Sequence, residues 1–369
     1  MINIKQYIVN NELLISKEEW QLLNSRYDKD SIKKALSDAI EEYNLPLPYR
    51  KVSEEEAKKD FLWLCLLNST EDICTGDVFS RYEYTIPLAS RYIKANRTGL
   101  LASDFFHQES RFMCDSLNSP SPHRVWTTEK FRLTYLDSLW SLKVSHINNS
   151  TLRECLKLRK FISSQFKSAT AKTIYELFNS KRVLDFSAGW GDRLCAFYSC
   201  KNTEFYMGID PNSTLFQGYT DQIDLYAKPE KKTVFINLPA EDVDFPVNEF
   251  DTVFTSPPYF IIERYTQEMN QSWQRYKKLE DWLNVFLFSV IDKSIIALKK
   301  GGHLAINLSD VYARHTINKI VDPMYAYVNS RKDMEYIETI GMQLSKRLSN
   351  YKSNQSGVFT EPLLIWKKK

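Results

Sequence analysis

The stretch VLDFSAGWGDRL, Val183 to Leu194, constrains this chain more than any other. Val183, Leu184 and Phe186 form the short apolar run of a buried strand. Gly189 and Gly191 come next, in a turn where side chains would be in the way, and a helix pattern starts directly after them. A helix entered this way presents backbone N–H groups at its N-terminus, so a ligand can lie against the main chain. The spacing is not the dinucleotide fingerprint GxGxxG, because the glycines read Gly-Trp-Gly-Asp and Asp185 sits inside the strand end.

A second landmark is TSPPYF, Thr255 to Phe260, which follows the apolar strand pattern Phe250 to Phe254. Its two prolines stand where no helix could continue. Between the landmarks lie two further strand patterns. Phe205 to Ile209 ends at Asp210, in GIDPN, and Thr233 to Ile236 precedes Leu238-Pro239-Ala240-Glu241-Asp242. Downstream, Tyr276 to Leu298 has the spacing of one long amphipathic helix, and Gly301-Gly302 turns into a strand over His303 to Leu308. Met334 to Ile340 and Pro362 to Trp366 complete the set, separated by a polar loop, Lys346 to Val358. This alternation predicts an α/β domain with a mostly parallel, seven-stranded sheet covered on both faces. Its ligand should sit over the C-terminal strand ends.

DFSAGWG resembles the first motif of the S-adenosylmethionine-dependent methyltransferases, and TSPPYF is similar to the (D/N/S)-P-P-(Y/F) motif of the amino-methyltransferases. Those enzymes methylate exocyclic amines of adenine or cytosine in DNA, and the serine form is nearer the cytosine branch. The resemblance spans residues 160 to 369 and implies a Rossmann-like methyltransferase domain that uses S-adenosyl-L-methionine. It makes Asp210 the acceptor for the ribose hydroxyls, a task suited to a carboxylate. Glu241 or Asp242 should reach the adenine amino group, with the second position favoured. Ser187, Gly189 and Gly191 would line the cofactor turn. Asp185 would hold that turn or meet the methionine ammonium. Phe166, just before a helix from Ser168 to Phe178, looks like the residue lining the methionine part, or is an ordinary packing phenylalanine.

The catalytic set implied is Ser256, Pro257, Pro258 and Tyr259, with Phe260 beside it as a substrate contact. A conjugated base amine is a poor nucleophile. Acceptors aimed at its hydrogens, the Ser256 hydroxyl and the Pro257 carbonyl, would raise electron density on nitrogen as it attacks. Pro258 stiffens the turn and Tyr259 offers a flat face to an extruded base. Glu263, Arg264 and Tyr265 could close over the base or begin a surface helix. Methylation at carbon needs a cysteine nucleophile near the ring, and no cysteine lies beyond Cys200. The same motif type also resembles enzymes that methylate RNA bases or a protein glutamine, and a non-catalytic cofactor-binding subunit is a further alternative.

The first half carries no such motif. With 369 residues the chain is long enough for two domains, here a mainly helical one over 1–155, the candidate target-recognition region, and the catalytic one over 156–369. Glu18 to Ser25 and Ser31 to Tyr43 read as helices, and Ser53 to Glu56 as a helix start with an acidic first turn. Residues 86–170 hold thirteen Lys and Arg against six acids, a balance of +7, with aromatics interleaved. Within it SPSPHRVWTT, Ser119 to Thr128, reads as a proline-punctuated loop in which Arg124 and Trp126, with Lys130 close behind, would face nucleic acid. His107 and His123 read as structural or surface residues.

The overall charge of +3 names no partner by itself. Six cysteines without CxxC spacing argue against a zinc cluster or disulfide scaffold and suggest a reducing compartment. No run of eighteen apolar residues predicts a membrane span, and MINIKQYIVNNELL lacks the pattern of a signal peptide. The expected partner is nucleic acid, DNA ahead of RNA, with no metal. The expected location is the cytoplasm or nucleoid, or the nucleus in a eukaryotic or viral setting. Oligomeric state is left open.

Overall fold

The computed structural model describes residues 2–87, 89–159, 162–344 and 356–369. Lys160 and Phe161, near the start of the expected catalytic domain, and most of the polar loop from Lys346 lie outside them. The sheet is built from β1 (Ile73–Thr75), β2 (Val78–Phe79), β3 (Arg91–Ile93), β4 (Arg182–Asp185) and β5 (Phe205–Ile209). It continues with β6 (Lys232–Ile236), β7 (Phe250–Thr255), β8 (Leu298–Asn307), β9 (Met334–Gln343) and β10 (Val358–Lys368). The strands lie in the order β1-β3-β9-β10-β8-β7-β4-β5-β6, and β2 pairs with the start of β10. From β6 across to β8 every pairing is parallel, while β10 runs antiparallel to both β8 and β9.

The seven expected strands are therefore present, but the sheet has ten among the described residues and is mixed. The three extra strands come from residues 73–93, which the sequence placed in a helical region. Their physical role is at the edge. Gly341 and Met342 of β9 pair with Tyr92 and Ile93, so backbone groups that would otherwise stand open are taken up. Arg91 of β3 also donates to Glu338 of β9 through two nitrogens.

The predicted helix over 276–298 is continuous from Leu279 to Ala297, but its middle is wider than an α-helix. A separate α-helical turn, Ser272–Arg275, precedes it; within it Leu279–Asp281 and Ser289–Ala297 are α-helical and Trp282–Phe288 is a π-helix, before β8 begins at Leu298. The wider π turn aligns positions four and five apart, which lets Trp282, Phe286 and Leu287 all bury.

Contacts divide the chain into Met1–Lys51 with Glu109–Ser164, and Val52–Gln108 with Gln165–Lys369, rather than at the 155/156 boundary read from the sequence. In the first unit, helices Lys17–Arg26, Lys29–Glu42, Glu129–Leu136 and Asn149–Arg159 surround a core that includes Trp20, Ile32, Leu36, Trp126, Tyr135 and Leu152. The second unit contains the sheet and both sequence landmarks.

Candidate active site

Strand β4 delivers Asp185, fully buried, beneath the glycine turn. Its carboxylate is saturated by the protein. Arg193 Nε donates at 2.6 Å, the Tyr206 hydroxyl at 2.7 Å, Thr255 Oγ1 at 3.0 Å and the Ser187 backbone N–H at 3.3 Å. Arg193 also donates to the Ser187 carbonyl. Of the two roles expected of Asp185, these contacts describe the first: it holds the turn. Arg193 is the partner that sequence reasoning did not assign. Phe166 packs edge-on against Phe254, centroids 5.6 Å apart, with the Arg193 guanidinium 5.0 Å from its ring.

The turn depends on both glycines, which have φ of 60° at Gly189 and 70° at Gly191. A Cβ on Gly191 would stand 2.1 Å from Gln222 Oε1 and 2.8 Å from His107 Nε2. His107 is buried and within 3.1 Å of Gln222, and burial pushes its imidazole down to about 4, so it is neutral and structural as expected. Asp210, at the end of β5, accepts from the Gly189 and Asn212 N–H groups at 2.9 Å each. Burial nevertheless pushes its carboxyl up to about 6. The Tyr219 hydroxyl donates to the Gly189 carbonyl and fixes the turn from the other side.

After β6, a short turn over Ala240–Asp242 carries the acidic pair. Glu241 is the more buried of the two; it accepts from the Tyr276 hydroxyl at 2.7 Å and stands 3.0 Å from Arg275, and burial raises its pKa. The Asp242 carboxylate is half exposed and takes both guanidinium nitrogens of Arg275, at 2.7 and 3.1 Å.

Thr255 ties the second landmark to the first, since its hydroxyl reaches Asp185 from the end of β7. The next residue, Ser256, donates its hydroxyl to Asn307 Oδ1 at 3.3 Å, and Asn307 Nδ2 donates to the Pro362 carbonyl at 3.1 Å. With its proton directed to Asn307, the Ser256 oxygen keeps lone pairs free to accept. The Tyr259 hydroxyl donates to Glu361 at 2.7 Å, and its backbone N–H to Glu263 at 3.2 Å. Glu263 also accepts from the Tyr265 hydroxyl at 2.6 Å. Burial raises the pKa of both glutamates. Asn307 and Glu361 went unassigned in the sequence, where the available signal was a polar or acidic residue inside an apolar strand.

Two expected substrate contacts are corrected. Phe260 has φ of 52° and is buried, edge-on to Trp282 at 6.1 Å, so its ring packs inside the fold. Trp126 is 5% exposed and donates its indole N–H to the Leu45 carbonyl at 2.7 Å, which leaves it no face for a base. The proline-punctuated loop is a short helix, Pro122–Thr127, capped by Ser121. Arg124 pairs with Asp115 at 2.6 Å while remaining half exposed, and Lys130 is exposed. Among the described residues no cluster of His, Cys, Asp or Glu could hold a metal, and no helix is long and apolar enough to cross a membrane.

The DNA methylase family model N6_N4_Mtase matches residues 250–369, from β7 and its Ser-Pro-Pro-Tyr turn to the last strand. Over those residues, about a third of its length, the chain is similar to this DNA methylase family. That match supports S-adenosylmethionine-dependent methyl transfer as the chain's activity. No curated protein matches the chain in sequence. Solved structures similar to it include a tRNA methyltransferase from Aquifex aeolicus, with 14% identity and a TM-score of 0.35 over 56% of this chain and 71% of that one. An rRNA methylase from Streptococcus thermophilus gives 13% and 0.35 over 56% and 98%. The N-methyltransferase NodS from Bradyrhizobium japonicum, in complex with S-adenosyl-L-homocysteine, gives 10% and 0.35 over 54% and 86%. The groups at the strand ends fit the cofactor chemically: a glycine turn opening a helix, a carboxylate at Asp210, and acceptors held beside them.

Proposed function

We propose that the methyltransferase acts on a base in DNA, the cytosine 4-amino group ahead of the adenine 6-amino group. The observation that carries the reading is the Ser256 hydroxyl, whose donation to Asn307 leaves its oxygen as an acceptor at the strand end next to the glycine turn. When bound, S-adenosylmethionine supplies an electrophilic methyl group. Asp210 accepts from the ribose hydroxyls, and Glu241 or Asp242 meets the adenine amino group. Ser256 and the Pro257 carbonyl each accept one hydrogen of the target amine, which favours a pyramidal nitrogen with its lone pair toward the methyl. Tyr259, fixed by Glu361 and Glu263, gives the base a face to lie on. The nitrogen's surplus proton leaves to solvent after transfer. Serine at the head of the motif supports cytosine over adenine, and the +7 balance of residues 86–170 supports a nucleic acid over a protein amide.

Residues 1–155 are proposed to supply target recognition, with Arg124 and Lys130 as phosphate contacts. The deciding experiment incubates the protein with methyl-labelled cofactor and separate pools of duplex DNA, single-stranded DNA, structured RNA and protein extract, followed by mass spectrometry of nucleosides and peptides. Label is expected as 4-methylamino-cytosine in DNA. Label as 6-methylamino-adenine would keep the mechanism and change the base, while label only in RNA or protein would end the DNA assignment. Ser256→Ala and Tyr259→Ala, in the same assay, should bind cofactor normally yet transfer on the order of a hundredfold less, as expected when acceptors realised in the transition state are removed.

A further inference from the structure

Beyond the catalytic turn, two cations flank one indole and a third stands beside them. The Arg264 guanidinium lies 5.0 Å from the Trp273 ring centre and the Lys277 ammonium 4.8 Å from it. Arg314 joins them by donating to the Lys277 carbonyl at 3.4 Å. Among the described residues none of the three has a carboxylate within ion-pair distance, and the buried Arg264 Nε has no hydrogen-bond partner. Desolvation, and then the charges of Arg264 and Arg314, lower the Lys277 pKa. Like charges held together without a counter-ion are costly unless an anion joins them.

Arg314 itself sits on an unusual support. Val311–Ala313 and Thr316–Asn318 form a two-residue hairpin whose tip is Arg314-His315, with φ of 52° and 63°. Such a turn favours Asn-Gly, because residues with a side chain resist that conformation. The hairpin is held from behind, where Tyr312 N–H donates to the Tyr82 hydroxyl at 3.1 Å, and it leaves Tyr312 and Ile317 about half exposed beside the cations. It follows β8, the strand that brings Asn307 to Ser256, and Arg264 follows Glu263, which holds Tyr259. Strain at a cationic tip beside the chemistry is a feature that stability alone would not keep.

We propose that the hairpin tip Arg314-His315, with Lys277 and Arg264, binds the phosphate backbone of the polynucleotide whose base enters the Ser-Pro-Pro-Tyr turn. This rests on the nucleic-acid reading given above. The test is fluorescence anisotropy with labelled duplex DNA, single-stranded DNA and RNA of one sequence, across a salt series. It compares the intact chain with the pair Arg314→Asn and His315→Gly, and separately with Lys277→Gln, a change at an exposed side chain. Each lost cation should flatten the log–log salt slope by about 1. Cofactor affinity should stay unchanged, and the melting temperature should hold or rise, since Asn-Gly suits the turn. Salt slopes unchanged in both variants would overturn the proposal, as would displacement by polyglutamate as effective as by unlabelled DNA, which would assign the surface to an acidic protein. The labelling experiment separates the two failures. Label in nucleic acid with unchanged slopes removes only this surface, whereas label in protein alone removes the reading beneath it.

Discussion

At the scale of single residues, Asp210 is the group whose chemistry is most exposed to test. Its carboxyl is pushed up to about 6 by burial, so in the free protein it is protonated below that pH, while in the unfolded chain it ionises near 3.8. The folded form therefore holds the proton more tightly, and this group's contribution to stability falls as pH rises from 3.8 through about 6. With the ribose contact proposed for Asp210, cofactor binding has the opposite sense, because hydroxyls would donate to the ionised form. Calorimetry should show affinity level above pH 6 and declining by up to tenfold per unit below it. Asp210→Asn should bind more weakly and lose the decline, and a decline that survives in that variant would assign it elsewhere. Arg193 gives the second test. Arg193→Met strands a buried carboxylate at Asp185, a loss of about 3–5 kcal/mol in denaturant unfolding. Adding Asp185→Asn should return part of it, since the two residues form one unit.

Among elements, the glycine turn predicts an order of damage. Gly189→Ala meets nothing closer than 3.8 Å and faces only the conformational cost of positive φ, roughly 1–2 kcal/mol. Gly191→Ala faces that cost and a collision with Gln222 and His107, so it should melt lower and bind cofactor worse. Equal melting temperatures would mean that the Gln222 side chain simply moves aside. The central strands were legible because each is an apolar run ending at a chemically distinct residue: Asp185, Asp210, Thr255. The edge was not. Strands of two or three residues, such as Val78–Phe79 and Arg91–Ile93, are too short to show a period and exist because β9 and β10 offer them partners. The π segment hid for a related reason, as its apolar residues also satisfy ordinary helical spacing. Trp126 misled because an aromatic among basic residues looks the same whether it faces solvent or a core, and only the Leu45 carbonyl distinguishes the two.

For the molecule as a whole, the catalytic half is incomplete by itself. A fragment of residues 165–369 would leave the backbone of Gly341 and Met342 without its β3 partners and Glu338 without Arg91. It should aggregate, or bind cofactor weakly, where the full chain does not; light scattering with calorimetry would show it, and a monodisperse fragment of full affinity would demote residues 52–108 to an accessory. The wiring of the candidate site was legible only in part at this scale. The Ser-Pro-Pro-Tyr turn announces itself, but Asn307 and Glu361 acquire meaning when β8 and β10 fold back beside it.

The edge strands also bear on the order in which the chain can fold as it is made. Arg91 and Glu338 are 247 positions apart, so the early segment leaves the ribosome long before its partner strands exist. Strands β4 to β7 can assemble during synthesis, whereas β1 and β3, which pair with each other, and β2 can join the sheet only when β9 and β10 exist. Ribosome-stalled chains ending before β9 should therefore leave residues 73–93 open to protease while β4 to β7 are already protected. The strands nearest the start of the sheet's sequence would be among the last to be set in place.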